Sequence, residues 1–137
     1  MKYFFIDTNV LIDVLADRKP FSKAGAQLLN SAEKRKVRLF ISALSYSHIY
    51  YVVKKNTSHK EMIALLKELE SLLETTDVTK QIITKALNSE FKDFEDAIQY
   101  YTAISNKKIT AIVTRNGKDY KNSEIPVLTP EEAIRLL

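Results

Sequence analysis

The sequence predicts an α/β fold in which a parallel sheet is covered by helices on its faces. Two observations carry this. Short apolar, β-rich runs alternate along the chain with longer stretches whose apolar residues recur at helical spacing. That alternation builds parallel sheets. Polar clusters also fall where two of the runs end, at Asp7 and at Thr114 to Asn116. Sites in such sheets lie beyond the carboxyl ends of strands, near a switch in strand order.

In chain order, Lys2 to Ile6 reads as a buried strand ending at Asp7, followed by a helical stretch from Val10 to Leu15. Ser22 to Lys36 carries Ala26, Leu28, Leu29 and Ala32 at helical spacing and ends in a basic cluster. Val37 to Ile41 is a second strand. Ser42 can cap a helix running to about Lys55, and Ser58 another, with Glu61 in capping-box position. The latter helix continues through Met62, Leu65, Leu66, Leu69, Leu72 and Leu73. Thr75 to Val78 is a short strand, and Thr79 opens a helix through Ile82, Ile83, Ala86 and Leu87. Asp93 is a good N-cap for a helix over Phe94 to Asn106. Lys108 to Thr114 is the strongest strand in the sequence. Pro126 to Leu128 follows as a short one, and Thr129-Pro130 starts a last helix with proline in its favoured first turn.

The 137 residues, 45% hydrophobic and 28% charged, suffice for one domain with a proper core and are too few for two. With 2 glycines and 3 prolines there is little room for linkers or disorder. The absence of cysteine excludes disulfides, thiolate metal sites and cysteine nucleophiles, and is compatible with a reducing cytoplasm. The apolar run before Asp7 is too short for a signal peptide, and no segment is long enough to span a membrane, so a soluble, cytoplasmic protein is expected. A net charge of +4 mildly favours an anionic partner such as nucleic acid.

Three clusters carry chemistry. Asp7, in Phe5-Ile6-Asp7-Thr8-Asn9, is a carboxylate directly after a buried strand, a costly place unless a cation or donors meet it. It either caps the next helix or serves a site, and the residue alone does not separate these. Asp96, in Asp93-Phe94-Glu95-Asp96-Ala97, lies in the first turn of a helix, where the dipole favours an anion. It sits beside a buried face marked by Phe94, Ala97, Ile98 and Tyr101. The stretch Thr114-Arg115-Asn116-Gly117-Lys118-Asp119 leaves the best strand through an Asn-Gly turn signal. It offers oxygen ligands at Asn116 and Asp119, with Arg115 and Lys118 interleaved. Carboxylate and amide oxygens suit hard cations such as Mg²⁺ or Mn²⁺, and nearby cations suit phosphates.

Together these clusters resemble the PIN family, and most closely its prokaryotic VapC-like members. The likeness runs from Ile6-Asp7-Thr8-Asn9 through Ile41-Ser42-Ala43-Leu44, Asp93-Phe94-Glu95-Asp96-Ala97 and Val113-Thr114-Arg115-Asn116 to Pro126-Val127-Leu128-Thr129-Pro130. The resemblance implies a three-layer α/β/α fold with a central parallel sheet of four or five strands. It implies a metal-dependent ribonuclease, commonly homodimeric, acting as the toxin of a type II toxin–antitoxin pair and held inactive by an antitoxin protein. It makes Asp7, Asp96 and Asp119 the metal ligands, binding Mg²⁺ or Mn²⁺, with Asn116 where many members have a further catalytic Asp. Thr8, Asn9, Asp93 and Thr114 become supporting residues, and Arg115 and Lys118 the phosphate contacts to RNA. The basic residues Lys34-Arg35-Lys36-Arg38 and Lys54-Lys55 could extend an RNA track, though a solvated face is the simpler account for most of them.

This sequence departs from the family at His48, where a glutamate is usual. The simplest role for His48 is a hydrogen-bonded histidine near the core. Facing the pocket, it would suit Mn²⁺ or Zn²⁺ better than Mg²⁺. With Asn116 as well, the site would carry two fewer negative charges, so a PIN module weakened in catalysis and acting through RNA or a partner protein is the alternative. A phosphatase using Asp7 as nucleophile would need a second acid two residues on, where Asn9 stands. A receiver domain would need an acid pair at the first strand.

Overall fold

The computed structural model describes residues 1–137. The chain runs β1 (Lys2–Ile6), α1 (Thr8–Leu15), α2 (Ser22–Glu33), β2 (Val37–Ser42), α3 (Ser45–Val53) and α4 (His59–Leu72). It continues through β3 (Glu74–Thr76), α5 (Lys80–Leu87), α6 (Phe94–Ser105), β4 (Ala111–Val113), β5 (Val127–Leu128) and α7 (Pro130–Arg135). The five strands are all parallel, in the order β3-β2-β1-β4-β5. The order reverses at β1, so the carboxyl ends of β1 and β4 flank the switch point.

Alternation along each strand builds the three layers. Phe4, Ile6, Leu39, Ile41, Ala111 and Val113 point to one face, where they bury against Val10, Leu11, Leu28, Ile49, Met62, Leu69 and Ala133 of α1–α4 and α7. Phe5, Phe40 and Ile112 point to the other and meet Tyr100 and Ala103 of α6, with Ile109 and Tyr120. Helices α5 and α6 close that side through Ile82, Ala86, Ala97 and Ile98. Leu28 and Ile49 are fully buried, and truncating either to alanine would cost about 2–5 kcal/mol. Gly25 is fixed by packing: a Cβ there would lie 2.6 Å from Cγ2 of Val14, so only glycine lets α2 press on α1.

Several boundaries differ from the sequence reading, each for a local reason. Helix α1 begins at Thr8, not Val10, because Asp7 itself is the N-cap. Helix α2 stops at Glu33, since Arg35 takes a left-handed backbone with φ 60, and Ala26 faces solvent. Ser42 caps no helix: it ends β2 and its hydroxyl accepts the N–H of Leu44, and α3 starts three residues on. A short 3₁₀ turn over Lys54–Asn56 completes the expected reach to about Lys55. Strand β4 is shorter than Lys108 to Thr114, although the Thr110 N–H bonds Tyr3 O and the Thr114 N–H bonds Leu128 O at its two ends. Strand β3 is Glu74–Thr76, shifted by one residue at its start and ending before Val78. On α6, Phe94 is exposed and Tyr101 half-buried, and Tyr100 and Ala103 carry the contact with the sheet. Caps at Ser58, Thr79, Asp93 and Thr129 stand where expected.

Candidate metal centre

Asp7 is 5% exposed at the carboxyl end of β1. Its backbone N–H donates to Val113 O at 2.9 Å, which locks the end of β1 to β4. One carboxylate oxygen accepts the Thr114 hydroxyl at 2.7 Å, and the other accepts the Asn9 N–H at 3.2 Å. Both donors are neutral. Burial pushes the Asp7 carboxyl above its ordinary pKa, the bonds from Thr114 and Asn9 oppose this, and the charge of Asp119 adds to it while His48 acts the other way.

Asp96 faces the same place from the first turn of α6. Asp93, the N-cap, accepts the Asp96 N–H at 3.0 Å and so sets the start of the helix. Burial is the main cause that lifts the Asp96 carboxyl to about 7, followed by the charges of Asp93, Asp119, Asp7 and Glu95. Asp119 stands on a 3₁₀ turn over Gly117–Tyr120, where its N–H donates to Asn116 O at 3.0 Å. The Asn-Gly signal therefore makes a helical turn that presents Asp119, and Gly117 keeps a negative φ. The Asn116 N–H donates to the Thr114 hydroxyl oxygen at 3.2 Å, so Thr114 both receives from the loop and gives to Asp7.

These three acids are brought to one end of the sheet, where their charges act on one another with no lysine or arginine bonded to any of them. As they stand, no three Asp, Glu or His side chains are close enough to grip an ion. Asp119 is exposed and Asp96 half-exposed, whereas Asp7 is held by its bonds to Thr114 and Asn9. An all-oxygen donor set with uncompensated like charge fits a hard divalent cation.

Among the supporting residues, Thr114 and Asn9 bond Asp7 and Asp93 caps the helix of Asp96, whereas Thr8 is bonded elsewhere. The side chain of Thr8 does not touch Asp7: its hydroxyl bonds Ser45 Oγ at 2.7 Å and receives the amide N–H of Gln99. Asn9 serves Asp7 through its backbone N–H. His48 is neither a core residue nor buried in the pocket. It sits half-exposed at the rim, with Nδ1 3.5 Å from Glu95 Oε2.

Arg115 turns back to Asp13, donating from Nε at 2.6 Å and Nη2 at 3.0 Å, with its side chain 28% exposed. Lys118 remains exposed beside Asp119. Lys34, Arg35 and Lys36 precede β2 and so lie at the opposite edge of the parallel sheet from the acids, and Arg38 pairs with Glu74 at 3.1 Å.

Ser45, Gln99, Asp13 and Tyr120 are the residues that sequence reasoning missed. Gln99 follows Asp96 by three positions, the spacing that shares a helix face, and that signal was available. Its Oε1 and the hydroxyl of buried Tyr120 have no partner in the protein. Burial raises the Tyr120 hydroxyl above its usual pKa, and Asp7, Asp96, Asp119 and Asp93 push it the same way.

The sequence pattern of the PIN domain matches residues 3–118. The chain is 29% identical over 133 residues to ribonuclease VapC1 of Aquifex aeolicus (strain VF5), across 93% of this chain and 90% of that protein. Among solved structures, it resembles a chain of the DNA-bound VapBC of Salmonella typhimurium at a TM-score of 0.71 and 20% identity, covering 95% of this chain and 99% of that one. It resembles a chain of a toxin–antitoxin complex from Klebsiella pneumoniae at a TM-score of 0.66 and 26% identity, covering 92% and 96%.

Proposed function

This chain belongs to the PIN-domain family, and from that premise we propose that it is a metal-dependent endoribonuclease, the toxin of a type II toxin–antitoxin pair. The observation that carries the reading is Asp7. It is a buried carboxylate at the switch point, answered only by neutral donors and faced by Asp96 and Asp119. Asp7, Asp96 and Asp119 would hold the cation, Mg²⁺ or Mn²⁺. Bound there, it supplies an acidified water and neutralises charge building on the phosphate. Thr114 and the Asn9 N–H hold Asp7 in one orientation, so that ligand is preorganised. Asp93 and the α6 N-terminus place Asp96. Lys118, exposed beside Asp119, is the cation placed to meet a flanking RNA phosphate. Asn116 stands beside these acids through its bond to Thr114.

The test is RNA cleavage with Mg²⁺ or Mn²⁺ by Asp7→Asn and Asp96→Asn. Both are expected to abolish it, and cleavage at the wild-type rate by the double variant would overturn the assignment. A second reading, a PIN module weakened in catalysis, is favoured by His48 at the rim and by Asn116 in place of an acid. Under it, titration would find no specific binding of either ion at millimolar levels.

The likeness to chains solved in VapBC complexes supports an antitoxin protein as partner. No helix is long and apolar enough to cross a membrane, in keeping with a cytoplasmic site of action. A homodimer is also part of this reading. On α3 the hydroxyls of Tyr46 and Tyr50 bond Thr75 and His59, whereas Tyr51 is 71% exposed and offers apolar surface to a second copy. Light scattering that finds only monomer across micromolar concentrations would count against it.

A further inference from the structure

Two consecutive residues of the loop leaving β4 grip the two ends of one helix. Thr114 donates to Asp7, the N-cap of α1, at 2.7 Å. Arg115 makes its two bonds, at 2.6 Å and 3.0 Å, to Asp13 near the other end of that helix. Asp7 and Asp13 are six residues apart, about 9 Å along a helix, a span the long arginine side chain can cover from the position next to Thr114. The Asp13 side chain is 3% exposed, with Arg18 as a second, looser cation at 3.7 Å. The Arg115 guanidinium also lies 4.2 Å from the centre of the Phe21 ring, a cation–π contact.

The Thr114 N–H bond to Leu128 O ties the start of the loop to β5. The Arg115 bonds add a second tie to α1 beyond the one Thr114 makes at Asp7, and two ties to one helix fix the angle of the loop to it. What the loop carries is the rest of the site: the Thr114 hydroxyl, Asn116 bonded to it, and the turn that presents Asp119.

We propose that Asp13 and Arg115 form a positioning latch, which holds the β4 loop at a fixed angle to α1 and so sets the geometry of Asp7 against Asp119. This deepens the ribonuclease reading and rests on it for its catalytic arm. It assigns Arg115 no contact with RNA. Breaking the latch should weaken metal binding and turnover while leaving the grip on RNA unchanged. A phosphate contact would do the reverse.

The experiment compares Arg115→Ala, Asp13→Asn, Arg115→Lys and the double variant Asp13→Asn/Arg115→Gln, which leaves no unpaired charge buried. Three quantities are read: Mn²⁺ affinity by calorimetry, kcat and KM for RNA cleavage, and the dependence of KM on salt. The latch predicts that Asp13→Asn and Arg115→Ala each lower Mn²⁺ affinity and kcat by about 10- to 100-fold, as lost supporting partners of metal ligands do. KM and its salt slope should stay unchanged, and the double variant should be no worse than either single one, since both act through one contact. Arg115→Lys, with its charge but without the two-pronged bond, should recover only in part.

A raised KM with a salt slope smaller by about one for Arg115→Ala, and no effect of Asp13→Asn, would make Arg115 a phosphate contact and overturn the latch. Lower melting temperatures with unchanged Mn²⁺ affinity and kcat would make the pair purely structural and overturn it as well. Should the wild-type protein cleave no RNA, the ribonuclease reading fails, and the Mn²⁺ affinities alone decide the latch.

Discussion

Helix α1 has a buried carboxylate at each end, and the two are treated in opposite ways. Asp13, 2% exposed, is met by a bidentate arginine and a second arginine behind it. Asp7, 5% exposed, is met by a hydroxyl and an amide, with further negative charge nearby. Burying a carboxylate demands compensation. At Asp13 the fold supplies it from within. At Asp7 the bonded partners are neutral and burial prevails, so the two ends of one helix differ in an acid paired with a cation and an acid left without one.

The largest expected effect tests that contrast by its sign. Arg115→Ala leaves Asp13 buried beside the looser Arg18 alone and should destabilise the protein by about 3 kcal/mol. Asp7→Asn removes a buried charge that no lysine or arginine is bonded to and should leave stability equal or higher. Thermal unfolding of the metal-free proteins reads both. A fall in melting temperature for Asp7→Asn as large as that for Arg115→Ala would place Asp7 among the structural acids.

The pH dependence sharpens the comparison. The folded-state pKa of Asp96 is lifted to about 7 from an ordinary value of 3.8. Between these values the folded chain holds a proton that the unfolded chain releases. This contribution to stability is therefore fully present below about 4 and is lost as the pH rises to about 7. Melting temperatures of the metal-free protein should show this decline, and Asp96→Asn or saturating Mg²⁺ should flatten it. An unchanged pH profile in Asp96→Asn would remove Asp96 from the charged cluster.

A smaller effect is expected at the rim. His48→Glu adds an anion beside Asp7 and Glu95 and should raise Mg²⁺ affinity relative to Mn²⁺. Equal affinities before and after would show that His48 lies outside the reach of the ion. The smallest belongs to a site remote from the acids. Ser58, whose hydroxyl accepts the Glu61 N–H at 3.1 Å, should cost about 1 kcal/mol when replaced by alanine, with cleavage unaffected. A loss of cleavage there would mean that any destabilisation reads as lost function and would blunt the other tests.

The fold was largely legible because its signals are local. Continuous apolar runs marked the strands, and Ser58, Thr79, Asp93 and Thr129 marked helix starts by cap chemistry that depends on three or four neighbouring residues. The boundaries that slipped depend on distant partners, as where β4 is trimmed or where Ser42 serves a turn instead of a cap. The acids Asp7, Asp96 and Asp119 could be read from strand ends and helix starts. Their partners could not, because a side chain's choice among distant groups leaves no trace in spacing. The bond from Arg115 to Asp13, 102 positions away, is one that spacing gives no sign of. Thr8 looked like a brace for Asp7 and instead ties α1 to Ser45 and Gln99.

The central strand β1 precedes its second neighbour, β4, by most of the elements of the fold. Asp7 meets Thr114 across 107 positions of sequence, and Asp119 follows later still. A nascent chain can pair β1 with β2 and pack α1 through α4 well before any acid other than Asp7 is in place. Long-range pairing of this kind is slow and comes late in folding. The three acids thus come together only once the chain through Asp119 is in place, after the pairing of β1 with β2 has become possible.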